Sequence, residues 1–249
     1  LYVLEDILGR FGVEITLVDG TDNAAWDAAI RPDTKLVFFE SISNPTLEIV
    51  DMGHVVQAAH AVGALVVVDD AMATPVFSYA SGLGADIAVI STTKHVDGQG
   101  RMLGGAICGS RDLIRGPIET YMKHTGGAMN PFTAWSHLKA LETIDLRVRA
   151  QSDSALQVTN ALEGHPKLTH VRYPNHAAHP QCALAQAQAE SGGTVLAFEV
   201  AGGREACFRF INALEIFTIS NNFADAKSNS LFKQAELAQT LMRIRDQGE

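Results

Sequence analysis

The sequence predicts an α/β protein with a mostly parallel sheet in its first part and a smaller α+β portion after it. Three observations predict this. Short apolar runs at Lys35–Phe39, Ala64–Val68 and Ile87–Ile90 alternate with stretches of helical periodicity, the pattern of strands covered by crossover helices. Each run ends in polar residues, so three strand ends present Asn44, then Asp69, then Ser91, Thr93 and Lys94 to one edge, where ligands of such sheets bind. The 249 residues, 47% hydrophobic, suffice for one large core and a further smaller one.

In chain order, Leu1, Leu4, Leu8 and Phe11 fall at helical spacing and Gly12 supplies a stop. No N-cap precedes Leu1, so the expectation is a chain that opens inside a helix, a fragment of a longer protein. Glu14–Val18 reads as a strand, and Thr21 or Asp22 caps a helix carrying Trp26 and Ile30. Asp51 starts a helix with Val55, Val56, Ala59 and Val62 on one face, ended by Gly63. After Arg101, Leu103–Ile107 is a further strand and Tyr121–Gly127 a glycine-rich connection. A long helix is expected over about 131–162, with Leu138, Leu141, Ile144 and Val148 inward and Arg147, Arg149 and Asp153 outward. It bridges residues 1–145, the large domain, to residues 146–249, the small one, where Leu168–Tyr173, Thr194–Val200 and Phe217–Ser220 read as strands and Arg204–Leu214 as a helix. Residues 229–249 read as a generic amphipathic helix.

Composition excludes several classes. A net charge of −9 without a basic stripe argues against nucleic acid and anionic membranes. Cys108, Cys182 and Cys207 lie far apart, which gives neither a disulfide framework nor a zinc site and suits a reducing cytoplasm. No apolar run reaches spanning length.

Lys94 is the residue around which the chemistry gathers. A lysine amine can join an aldehyde cofactor, and pyridoxal phosphate asks for hydroxyls at its phosphate, an acid at its ring nitrogen and a donor at its ring oxygen. Ser91 and Thr93 supply the hydroxyls, Asp69 the acid and Asn44 the donor. Competing motifs are weaker. Ser91-Thr-Thr-Lys94 matches the pattern of serine acyl-transfer enzymes, which needs the serine to open a helix, whereas a strand precedes and glycines follow. Gly98, Gly100 and Gly104 have the wrong spacing for a dinucleotide loop and read as a turn. His176 and His179, between Pro174 and Pro180, read as a surface loop, without a companion ligand for a metal. Asp69 and Asp70 point to opposite sides of an extended chain, so only one serves the site and the other bonds the following turn.

Glu40-Ser-Ile-Ser-Asn-Pro45, Val68-Asp-Asp-Ala-Met-Ala-Thr-Pro75 and Ser91-Thr-Thr-Lys-His-Val-Asp-Gly-Gln-Gly-Arg101 resemble the pyridoxal-phosphate enzymes of cysteine and methionine metabolism. The resemblance implies fold type I of the pyridoxal-phosphate-dependent transferases, and it covers residues 1 to about 228. It makes Lys94 the cofactor-bearing lysine, Asp69 the partner of the ring nitrogen, Ser91 and Thr93 phosphate ligands, and Asn44 the neighbour of the ring oxygen and of the substrate carboxylate. Ser220–Ser228 matches the segment lining the substrate pocket, with Asn222 nearest the substrate. The continuation His95–Arg101, with Thr125–Phe132, Leu141–Arg147 and Asn212–Ile216, implies γ-replacement on O-succinyl-L-homoserine with sulfide. The rival reactions are cystathionine synthesis, γ-elimination, or none at all in a truncated relative. A homotetramer or dimer is implied as well.

The sequence also departs from the family pattern. Asp70 stands where asparagine is usual, Met72 where an aromatic is usual, and Phe223-Ala224 replaces a Leu-Gly pair. The aromatic residue that stacks on the cofactor and the glycine-containing phosphate loop fall upstream of Leu1 in that pattern. Past Ser228 the likeness is expected to end, and no arginine for the substrate carboxylate is assigned.

Overall fold

Three apolar runs become adjacent parallel strands. In the computed structural model, which describes residues 3–230, helical turns over Val3–Ile7 and Leu8–Phe11 end at Gly12, whose φ of 77° gives a left-handed cap. They bury no residue, and Phe11 is 80% exposed. Then follow α1 (Asn23–Ala29), β1 (Leu36–Glu40), α2 (Met52–Ala61), β2 (Leu65–Asp69), the short α3 (Thr74–Phe77) and β3 (Ile87–Ser91). A single turn, Thr92–Val96, leads to β4 (Gly105–Gly109). The sheet order is β1-β2-β3-β4, with the first three strands parallel and β4 antiparallel to β3. This is the mostly parallel α/β sheet expected.

The local causes are ordinary capping and burial. Asp22 accepts from the Ala24 N–H at 2.9 Å and starts α1, and Asp51 accepts from the His54 N–H at 3.1 Å and starts α2. Both helices bury Trp26, Met52, Val55 and Ala59 against Val37, Phe39, Val66 and Val68 of the strands. Trp26 meets Phe39 edge-on at 5.9 Å. Burying side chains of this size stabilises by about 1.5–3 kcal/mol each relative to exposure, so this one face anchors the sheet and fixes where its carboxyl edge lies.

The later elements are α4 (Arg111–Leu113), α5 (Glu119–Thr125), α6 (Pro131–Leu141), α7 (Ile144–Leu162), β5 (Leu168–Arg172), α8 (Cys182–Gln188), β6 (Ala197–Val200), α9 (Gly203–Asn212), β7 (Thr218–Ile219) and β8 (Asn229–Ser230). β5 and β6 pair antiparallel, as do no two of β1–β3, and β7 pairs parallel with β8. Glutamines of α8 and its N-cap hold this half on the first. Gln181 accepts from the Ile49 N–H at 2.9 Å and donates to the Ile49 carbonyl, while Gln188 does the same with Met52 N–H at 2.7 Å and Val50 carbonyl at 2.9 Å. Each amide side chain pairs with backbone groups as a neighbouring strand would.

Several expectations are corrected. Tyr121–Gly127 is not a connection, because it is helical as far as Thr125 in α5 and ends at Gly126, whose φ is 78°. Glu14–Val18 forms no strand, and no neighbouring strand pairs with it among the described residues. The long helix is two, α6 and α7, divided at Glu142 and Thr143. Leu138 and Leu141 are exposed, and α6 instead buries Thr133, Ser136, His137 and Ala140. Arg147 does not point outward: its guanidinium turns in on backbone carbonyls. His176 and His179 are buried, at 8% and 5% exposure. His179 Nδ1 accepts from the Gln181 N–H, so Nε2 carries the hydrogen given to the Leu47 carbonyl at 3.0 Å. Of the helix read over 229–249, residues 229 and 230 form β8 and the remainder lies outside the described residues, as does Leu1.

Candidate functional site

Parallel pairing in register decides where the polar strand ends go. Glu40 lies opposite Asp69, and Asp69 opposite Val89, so the ends of β1, β2 and β3 form one edge. Ser91 closes β3 opposite Gly105, the first residue of β4. Asp69, Ser91, Thr93 and Lys94 are all partly buried at this edge, while Asn44, in the loop after β1, is exposed and gives its backbone N–H to Glu40 Oε2 at 2.9 Å.

Asp69 and Thr93 have defined local holders. Asp69 Oδ1 accepts from the Ala71 N–H at 3.0 Å, which orients its carboxylate along the turn after β2. Thr93 is latched to Gly104: its hydroxyl accepts from the Gly104 N–H at 2.9 Å, and its own N–H bonds the Gly104 carbonyl at 3.3 Å. Gly104 has no room for a side chain, because a Cβ there would lie 2.7 Å from Thr92 Oγ1 and from Met129 Cε. Ser91 stands at the N-cap position of the turn Thr92–Val96 with no side-chain bond to it, and the backbone leaves the helical region at Lys94 (φ −88°, ψ −114°). A serine therefore does open a turn here, but the lysine does not sit one regular helical turn on, as the acyl-transfer pattern needs.

Lys94 Nζ donates to Asn222 Oδ1, and it stands 4.5 Å from the centre of the Phe223 ring. Residues 128 positions apart thus meet at the sheet edge, through the loop that follows β7. Phe223 also meets the His95 ring edge-on at 5.9 Å. An ammonium over an aromatic face is held electrostatically. Phe223, known from the sequence only as a departure, is thereby a wall of the lysine site.

Three residues that brace the turns around the site were not predicted from the sequence as site residues. Asp70 is buried on the side of the chain opposite Asp69 and accepts from Ser41 Oγ at 2.8 Å and from Ser78, tying the ends of β1 and α3 to the end of β2. Burial pushes its carboxyl up, and the nearby Asp69 charge adds to this. His95 is buried beside Lys94, bonds the Ala71 backbone and meets Thr194 Oγ1 at 2.7 Å through Nε2, so one imidazole joins the turns that carry Asp69 and Lys94. Arg147 reaches the same turn from α7. Single polar residues inside helical or loop patterns carry no periodic signal that would separate these from surface side chains.

Burial, with the nearby Arg147 and Lys94 charges, depresses the His95 pKa from 6.5 to about 3, so the folded chain holds a neutral imidazole. The unfolded chain takes up a proton below pH 6.5 that the folded chain refuses, and stability present above that pH falls as pH drops toward about 3. A His95→Gln variant is expected to lose much of the fall in urea midpoint between about pH 6.5 and 5, above the range where carboxylates titrate. An unchanged slope in that window would contradict a buried neutral His95.

The model of the family described as Cys/Met metabolism PLP-dependent enzyme matches residues 1–248. The likeness therefore continues past about residue 228, where the sequence alone suggested that it stops. The chain is similar to O-succinylhomoserine sulfhydrylase of Mycobacterium tuberculosis, 45% identical over an alignment of 232 residues that covers 91% of this chain and 57% of that protein. It is also similar to chloroplastic cystathionine gamma-synthase 1 of Arabidopsis thaliana, at 36% identity over 90% of this chain and 40% of that one. A crystal structure of cystathionine gamma synthase from Xanthomonas oryzae pv. oryzae in complex with aminoacrylate and cysteine superposes with a TM-score of 0.88 at 31% identity, over 92% of this chain and 60% of that one. The chain spans little more than half the length of the sulfhydrylase it matches.

Proposed function

Because the chain belongs to the Cys/Met metabolism PLP-dependent enzyme family, we propose that it serves γ-replacement on O-succinyl-L-homoserine, in which sulfide takes the place of succinate to give homocysteine. The observation that carries the reading is the Lys94 amine held by Asn222 at the edge that also presents Asp69. The donor set suits pyridoxal phosphate: a primary amine, a carboxylate on the neighbouring strand end, and two hydroxyls within three positions of the lysine. When bound, that cofactor supplies an aldehyde for an amine and a ring that withdraws electrons from the adjoining carbon.

The chain's own residues then have distinct tasks. Ser91 and Thr93 hydroxyls bind the phosphate, Asp69 keeps a proton on the ring nitrogen, and Asn44 binds the ring oxygen and the substrate carboxylate. Lys94 moves protons at the substrate α- and β-carbons as general base and acid, and Asn222 orients its amine. The similarity to the sulfhydrylase favours succinyl-homoserine and sulfide over the cystathionine-forming pairing, since identity is 45% against 36%. The same reading divides the chain into a cofactor-binding part, 1–145, and a smaller part, 146–249, and places it in the cytoplasm as a homotetramer or dimer.

The test begins with pyridoxal phosphate added to the purified chain. Visible absorbance of a lysine-bound cofactor is expected, and borohydride followed by peptide mapping should find the label on Lys94. A label on Lys123 or Lys139 in its place would overturn the site. Supplying O-succinyl-L-homoserine with sulfide, with cysteine or with no thiol then separates homocysteine, cystathionine and 2-oxobutyrate as products. Turnover only in the absence of a thiol would replace the reading by a γ-lyase.

A further inference from the structure

We propose that Arg147 is a positioning residue for Lys94: its guanidinium caps the open carbonyl end of the turn that carries the lysine. The proposal rests on the reading that Lys94 is the functional amine. The turn Thr92–Val96 is only five residues long, and the backbone is non-helical at Lys94 itself. A turn this short does not hold its shape alone. Its internal bonds use the carbonyls of Thr92 and Lys94, which accept from the N–H groups of Asp97 at 2.9 Å and Gly98 at 2.8 Å. The carbonyls of His95 and Val96, the two residues after the lysine, are the ones a helix end leaves without such partners. Arg147 supplies both, from Nη1 to His95 at 3.0 Å and from Nη2 to Val96 at 3.2 Å.

The same fork is tied down at its other side. Nη2 also donates to the Ala140 carbonyl at 3.0 Å and Nε to Thr143 Oγ1 at 3.2 Å, so the turn is fastened to the end of α6 and the start of α7. Gly98 makes the space: its φ is +64°, and a Cβ there would lie 2.0 Å from Arg147 Nη1. A positive charge at the carboxyl end of a turn also opposes the partial negative charge of its carbonyls. Lysine cannot copy this arrangement, because an ammonium is a single point and lacks the planar spread of donors that reaches three carbonyls and a hydroxyl at once.

The local role and a merely structural one are separated by native-state hydrogen exchange on the chain without cofactor. In Arg147→Ala, protection of the Asp97 and Gly98 amides is expected to fall by roughly 10- to 100-fold, while Val66 and Val68 in β2 keep theirs. With pyridoxal phosphate, the borohydride-trapped fraction on Lys94 should fall as well and recover with guanidinium ion at a non-denaturing concentration. Arg147→Lys should recover only part. Arg149→Ala, which loses surface ion pairs to Glu190 and Asp145 on the same helix, should leave both readouts at their original values. Equal loss of protection in β2 and in the turn, or undiminished protection at Asp97 and Gly98, would overturn the proposal. If Arg147→Ala does not fold, Arg147→Lys decides in its place, and protection of those two amides equal to the parent overturns it. Failure of the parent chain to link the cofactor at Lys94 would count against the proposed function, and the exchange arm would still judge the clamp.

Discussion

Lys94→Ala is expected to reduce turnover of O-succinyl-L-homoserine by about 10⁴-fold, the upper range for loss of a general acid–base group, and to remove the borohydride-trapped label. The amine has two uses in the proposed reaction, as the attachment point and as the proton carrier at two carbons, and the variant loses both. Lys94→Arg should not rescue. A guanidinium keeps its proton at any working pH and forms no stable bond to an aldehyde under these conditions. Its bulk would also disturb the contacts with Asn222 and Phe223. The fold should survive either change, because Lys94 lies outside the cluster of Trp26, Phe39, Val66 and Val68 that secures the sheet. Turnover within tenfold of the parent by a folded Lys94→Ala chain would sink the assignment.

What could be read from the sequence divides along physical lines. The strands β1, β2 and β3 were legible because burial on a parallel sheet imposes continuous apolar runs, and their polar ends were legible because an edge needs hydrophilic residues. The same logic located Asp69, Ser91, Thr93 and Lys94 within a few positions. α8 was missed because Cys182–Gln188 is short and alanine-rich, and beside Ala185 and Leu184, which pack on Ile42, Leu47 and Ile49, its attachment is made by the Gln181 and Gln188 amides. The inward face of α6 was misjudged for a related reason. Its buried residues are Thr133, Ser136, His137 and Ala140, whereas periodicity assigns Leu138 and Leu141 to the core. Arg147 and His95 act on backbone carbonyls and hydroxyls brought close by the fold, and a one-dimensional pattern does not contain those neighbours. Asn222, 128 residues from Lys94, came only through the family resemblance.

Asp69→Asn is expected to cut kcat by about 10²- to 10³-fold, the range seen when one fixed electrostatic partner of a reacting centre is removed, with little change in stability. The substitution preserves shape, and an asparagine Oδ1 can still accept from the Ala71 N–H that Asp69 now binds at 3.0 Å. What it removes is the negative charge. A carboxylate holds a proton on the ring nitrogen by both charge and hydrogen bonding, whereas a neutral amide offers only its dipole. The cofactor should therefore still be trapped on Lys94, with proton movement at the substrate α-carbon slowed. The neighbouring carboxyl offers no substitute: Asp70 faces the other side of the extended chain, is buried, and is occupied by Ser41 and Ser78. Asp70→Asn is the matched control, since it removes a charge one position away and leaves Asp69 in place, and its kcat should stay within a few-fold of the parent. Equal losses from the two substitutions would mean that total charge at the end of β2 matters and that Asp69 has no privileged contact. A loss confined to Asp69→Asn assigns the effect to the Asp69 carboxylate, which the register of β1, β2 and β3 brings to the edge from which the Lys94 turn departs.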